Sequence, residues 1–191
     1  LDADFVKQVE AIAMNGPSAK VNLVLKEEPR VTGMPLDAPA LQKMVYTLVP
    51  TFEAAQRCYS DCQNGVLSAD LWVDCIQASA IDPELATPGH HVLTSFVQYV
   101  PYHLNGTDWQ AQRETLGQRV IEIIGRYAPN VPDAIVGMDI ITPLDLEHRF
   151  GITEGNIFQG ELTFDQLMFN RPVPGYAQYR SPIRDLWMCG S

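Results

Sequence analysis

The stretch IVGMDIITPLDLEHRFG, residues 135–151, holds a strand, a helix start and a helix stop within seventeen residues. Ile135 to Ile141 is a short apolar run of strand length. Thr142 then supplies a cap oxygen, and Pro143 fits the first helical position, where a missing N–H costs nothing. Gly151 follows the last helical residue, where a left-handed conformation ends the helix. The reading is strand, then capped helix, with no linker between them.

The same signals recur on both sides of it. Lys20 to Lys26 alternates and is rich in β-branched residues, so it reads as a strand. Met44 to Val49, Leu71 to Ala78 and His91 to Val100 are further strand candidates. Leu186 to Cys189 is the last of them. Leu1 to Asn15 carries Phe5, Val6, Val9, Ile12 and Ala13 at helical spacing and is closed by Gly16 and Pro17. Thr51 caps a helix to about Gln63, on which Thr51, Ala55, Cys58 and Cys62 share a face. Thr107 or Asp108 opens the longest helix, with an apolar stripe of Trp109, Leu116, Val120, Ile123, Ile124 and Tyr127 ahead of Pro129. Thr163 and Gln166 fit a capping box. Residues 27–41, with three prolines and a glycine, read as an irregular excursion. The sum is an α+β (mixed α/β) fold: a mixed, largely antiparallel sheet with flanking helices.

The chain has 191 residues, 46% of them apolar, which suits one domain, or one domain plus a piece of a second. The formal net charge of −10, with 13 scattered Lys and Arg, argues against nucleic acid as a partner. No apolar run approaches the roughly 18–20 residues that cross a bilayer. Four cysteines in a chain of this size do not make a disulfide scaffold, so a reduced, cytoplasmic compartment is expected, with peripheral membrane attachment open for a larger parent.

Motifs of chemistry are few. No two glycines stand two apart, so there is no dinucleotide fingerprint, and no P-loop either. His90 and His91 are adjacent, and on a strand they point to opposite faces, so no metal site is assigned. Cys58 and Cys62 read as buried core rather than a redox pair. No G-x-S-x-G elbow exists for a hydrolase. Phe96, Tyr99 and Tyr102 are candidates to line an apolar substrate pocket, with core packing the plainer reading of each. Gly151 to Gly160 holds three glycines in ten residues, a pattern for tight turns or for close approach of backbone to a ligand.

Seven motifs then occur in order: QYVPY (98–102), IITPLDLEHRFG (140–151), GNIFQG (155–160), DQL (165–167), RPVP (171–174), YRSPI (179–183) and LWMCGS (186–191). Together they resemble the C-terminal half of the phytoene desaturase-like FAD-dependent oxidoreductases, and within them the branch called pyridine nucleotide-disulfide oxidoreductase domain-containing protein 2. The resemblance implies a substrate-binding domain over residues 1–150. It implies a return segment over 151–191 that leads into an FAD-binding domain lying outside this chain. It places Gly190 and Ser191 near the flavin, and Gly155, Asn156 and Gly160 on a loop facing the flavin and substrate cavity. No catalytic acid or base carries over. The implied parent oxidises a small lipophilic substrate with FAD, and the chain alone is expected to hold no cofactor and to be inactive. The alternative is a non-enzymatic binding domain. In either case, apolar surface left exposed by the missing half leads us to expect a homo-oligomer.

Overall fold

A computed structural model describes residues 1–15, 17–35, 37–39 and 43–188. Five strands form one sheet: β1 (Ala19–Leu25), β2 (Val45–Leu48), β3 (Trp72–Ile76), β4 (His91–Gln98) and β5 (Ile135–Ile141). Their order is β2-β3-β4-β1-β5. Every pairing is antiparallel, where a mixed sheet with largely antiparallel pairing was expected. β1 is an interior strand, paired with β4 on one side (Leu23 opposite Leu93) and with the edge strand β5 on the other (Leu23 opposite Met138).

The period of two in these strands sorts their side chains. Val21, Leu23 and Leu25 of β1, Val73 and Cys75 of β3, and Leu93 and Val97 of β4 are fully buried. Two helices cover that face. In α2 (Phe52–Gln63), Ala54, Cys58 and Cys62 turn inward. In α3 (Trp109–Tyr127), the inward residues include Leu116, Val120, Ile123 and Ile124. A Cβ on Gly117 would meet Ile140 Cδ1 and lie 3.3 Å from Met138 Sδ, so the glycine permits α3 to sit close against β5. The opposite face of the sheet, with Lys20, Asn22, Asp74 and Phe96, is only half buried.

Thr51, Asp108 and Thr142 cap their helices as the sequence predicts. Thr51 Oγ1 accepts from Ala54 N, and Asp108 rather than Thr107 caps α3, accepting from Ala111 N. After α4 (Val131–Ala134) and β5, Thr142 caps α5 (Pro143–Phe150), and Gly151 closes it at φ 67°. Three expectations need correction. The first helix, α1, spans only Ala3–Glu10, because the chain beyond it leaves helical geometry to bond with residues 161 and 166. Gln166 is no capping residue, since Thr163 makes no side-chain cap and the Gln166 amide is committed elsewhere. The segment from Leu186 forms no strand among the described residues, only an isolated bridge between Arg180 and Trp187. Gly16, Leu41, Cys189, Gly190 and Ser191, which carried expectations, lie outside the described residues.

Candidate functional site

The large cavity of the molecule has a volume of about 710 Å³, within the range of small-molecule sites. Three pieces of chain wall it. Val9, Ile12 and Met14 come from the end of α1 and the residues after it. Phe150 to Thr153, Gln159 and Gly160 come from the end of α5 and the glycine loop. The third wall, from Gln166 to Met188, is the return segment, with Met168, Arg171, Tyr176 and Tyr179 facing the space.

Position is set by the first turn of α5. Thr142 N and Oγ1 donate to Asp145 Oδ2 at 2.8 and 2.7 Å, and Asp145 N donates back to Thr142 Oγ1 at 3.2 Å. Arg113 of α3 then grips the same carboxylate with two nitrogens, at 2.8 and 2.7 Å. Its Nη1 also donates to the Ile140 carbonyl at 2.6 Å. Burial pushes the Asp145 carboxyl up, but the bonds from Arg113 and Thr142 outweigh it and hold the group down at about 2. Helix α5 is thereby fixed to α3 and to the end of β5.

The glycine loop leaves α5 and folds back over its first turn. A Cβ at Gly155, φ 66°, would collide with the Pro143 carbonyl, so only glycine fits. Asn156 is buried. Its Nδ2 donates to the carbonyls of Met14 (3.0 Å) and Asn15 (3.3 Å), and its Oδ1 accepts from Phe158 N at 2.9 Å. Gln166 pins the other side: Oε1 accepts from Ala13 N at 2.7 Å, and Nε2 donates to the carbonyls of Ala13 and Glu161, both at 3.1 Å. Phe5 of α1 packs on Tyr176 with ring centres 4.7 Å apart.

Of the residues expected at a site, Gly160 lines this cavity. Gly155 and Asn156 stand behind its wall and shape it. Phe96, Tyr99 and Tyr102 do not line it and are not brought together. Phe96 meets Phe158 of the loop edge-on at 6.4 Å, and Tyr99 meets Tyr59 of α2 at 5.2 Å. Tyr102 borders a smaller cavity of about 250 Å³ with His103 and Glu154. Its hydroxyl donates to Glu147, which also accepts from Glu154 N at 2.9 Å. That bond to a carboxylate, with burial next, raises the Tyr102 hydroxyl to about 12.

The three described thiols are core. Burial first of all raises Cys62 and Cys75 to about 12, and Cys58 is raised as well. Among the described residues, no three His, Cys, Asp or Glu side chains gather as metal ligands. No described helix is long and apolar enough to cross a membrane.

Arg171 escaped the sequence reading as a site residue, although it stands in the RPVP motif. Its only signal was a lone cation in an apolar, proline-rich stretch. Its Nη2 is buried and has no hydrogen-bond partner among the described residues.

No family model matches the chain. It is 34% identical over 199 residues to pyridine nucleotide-disulfide oxidoreductase domain-containing protein 2 of Rattus norvegicus, covering 100% of this chain and 34% of the relative. The Mus musculus protein of the same name gives the same identity and coverage. An uncharacterised protein of Mycobacterium bovis is 25% identical over 203 residues, covering 95% of this chain and 37% of that protein. The chain thus spans about a third of the length of the curated relatives it matches. Over its whole length, it is homologous to a segment of the proteins named for a pyridine nucleotide-disulfide oxidoreductase domain.

Proposed function

We propose that this chain is the substrate-side segment of an FAD-dependent oxidoreductase of the desaturase or dehydrogenase type, acting on a small lipophilic substrate. The observation that carries the reading is the cavity of about 710 Å³ walled by the glycine loop and the return segment, in a chain homologous to oxidoreductase-named proteins. Its walls are chiefly apolar side chains such as Val9, Ile12, Phe150 and Met168, which suit a lipophilic body.

The residues of this chain do not by themselves fit a dinucleotide. No two glycines stand two apart to admit a pyrophosphate. The Gly155 backbone is packed on Pro143, and the Asn156 amide is fully used inside the fold. Gly160, at the cavity wall, with Gly190 and Ser191 are the positions we assign to flavin contact. Gly155 and Asn156 hold the loop in shape. A flavin supplies hydride or electron acceptance, while protein groups orient the substrate and exclude water. Here, Ile12, Phe150 and Met168 would enclose the substrate, and no side chain of this segment is assigned as acid or base. Phe96 and Tyr99 support the walls through Phe158 and Tyr59, and Tyr102 does so through Glu147.

The test compares the 191-residue chain with a form extended to the full length of the relatives. The extended form should purify with the visible absorption of oxidised flavin, and that absorption should bleach when a lipophilic substrate is added without oxygen. The isolated chain should stay colourless. An extended form that is colourless and takes up no added FAD overturns the proposal.

A second reading rests on a different observation. Phe164, Phe169, Met168 and Trp187 are 96%, 83%, 78% and 59% exposed, a dense apolar surface on one segment. On this reading the isolated chain is a binding domain that self-associates through that surface. Light scattering that gives a monomer mass near 21.3 kDa at micromolar concentration would refute it.

A further inference from the structure

Arg171 sits in the return segment and reaches into the large cavity. Of the described residues lining that cavity, Arg171 alone carries a formal charge. Among the described residues, its guanidinium joins no ion pair, and the buried Nη2 finds no acceptor. Gln166, whose Nε2 would lie 3.8 Å from a Cβ at Gly160 across the cavity corner, turns its oxygen to the Ala13 N–H and accepts nothing from Arg171. An Arg nitrogen is always a charged donor, and buried ones are normally paired. The planar fork of Arg suits two oxygens of an anion.

We propose that Arg171 forms a subsite for an anionic oxygen group, a carboxylate or a phosphate, at one end of a ligand whose apolar body fills the cavity. The proposal deepens the reading above by naming the substrate class, an amphipathic acid rather than a neutral hydrocarbon. It rests on that reading only for the identity of the cavity. Binding is measured on the chain without flavin, so its failure would leave the oxidoreductase assignment standing.

The probes are laurate, lauryl phosphate and lauryl alcohol, which share one apolar tail and differ at the head. Each is titrated calorimetrically into the 191-residue chain below its micelle-forming concentration. At least one anionic probe should bind one per chain, about tenfold or more tighter than the alcohol. Whichever of the two anions binds tighter names the head group. Arg171→Met should erase the preference over the alcohol, and Arg171→Lys should keep part of it. The guanidinium N–H resonance of Arg171 in the unaltered protein should move with the anionic probe and not with the alcohol, a readout that needs no variant to fold. Equal binding of all three probes, no binding, a preference that survives Arg171→Met, or an unmoved Arg171 resonance overturns the proposal.

Discussion

Replacing Asp145 by Asn tests how the cavity wall is held. The substitution keeps the side chain's shape and removes its charge. The folded carboxyl sits at about 2 against an ordinary 3.8, which corresponds to about 2.4 kcal/mol of folding free energy at neutral pH. The Asp145 side chain is 18% exposed and that of Arg113 is 34% exposed, so water screens the pair. A loss of about 1–2 kcal/mol is therefore the expected figure, a fall of roughly 2–8 °C in Tm for a domain of this size. The sign with pH follows from the depressed carboxyl. Its contribution is complete above the unfolded value near 3.8 and is lost as pH falls from about 4 to 2. Urea unfolding followed by circular dichroism should thus show Asp145→Asn less stable than the unaltered chain at pH 7. The gap should close to about half by pH 3. Arg113→Met should cost a similar amount, and the double variant should cost less than the sum. No gap at pH 7, or one that stays constant down to pH 3, refutes the reasoning.

Gly155→Ala places a methyl against the Pro143 carbonyl in a left-handed conformation, and should cost about 2–4 kcal/mol, read as a lower urea midpoint. With Cys189 changed to Ser, the buried Cys58, Cys62 and Cys75 should stay unreactive towards Ellman's reagent at pH 8 until urea unfolds the chain. Rapid labelling of a native thiol in that variant would show the core to be open. Gln166→Ala removes two hydrogen bonds to Ala13, just after α1, and a third to Glu161, and should cost about 1–3 kcal/mol. Amide exchange at Ala13 and Glu161 should speed up with it, and unchanged exchange at both would count against the clamp.

Local chemistry made some elements legible and left others hidden. Residues 142–151 carry their own start and stop, and the helix they form is found to the residue. The strand at Ala19–Leu25 was legible because Val21, Leu23 and Leu25 on one face are all apolar and fully buried. The end of α1 was not. Ile12 and Ala13 continue the helical period, but Ala13 is taken by Gln166, more than 150 positions away, and no local signal announces that bond. The same amide made Gln166 resemble a capping residue. Leu186 to Met188 has strand composition but lies on no sheet edge, and a strand without a partner is not a strand. The homologous branch was legible because its motifs are short runs of fixed order. Phe96, Tyr99 and Tyr102 do not line the large cavity, and alternation along β4 cannot say that Phe96 would meet Phe158 of a later loop.

The unpaired arginine gains weight from what surrounds it in the sequence. The chain has 23 acidic residues and 13 basic ones, so carboxylates to neutralise one guanidinium are in surplus. Arg30, Arg57, Arg113, Arg149 and Arg184 each have a carboxylate partner, Arg119 donates to two main-chain carbonyls, Arg180 lies over the Trp187 ring, and among the described residues Arg126 and Arg171 have no such partner. Water does not reach Nη2, although the Arg171 side chain as a whole is half-buried. Nor is Arg171 a product of loose packing, since the walls beside it are pinned by the two amides of Asn156 and Gln166. A fold that spends two buried amides to shape a cavity, and leaves the one charge among its described lining residues without a described partner, has built a site suited to an anion.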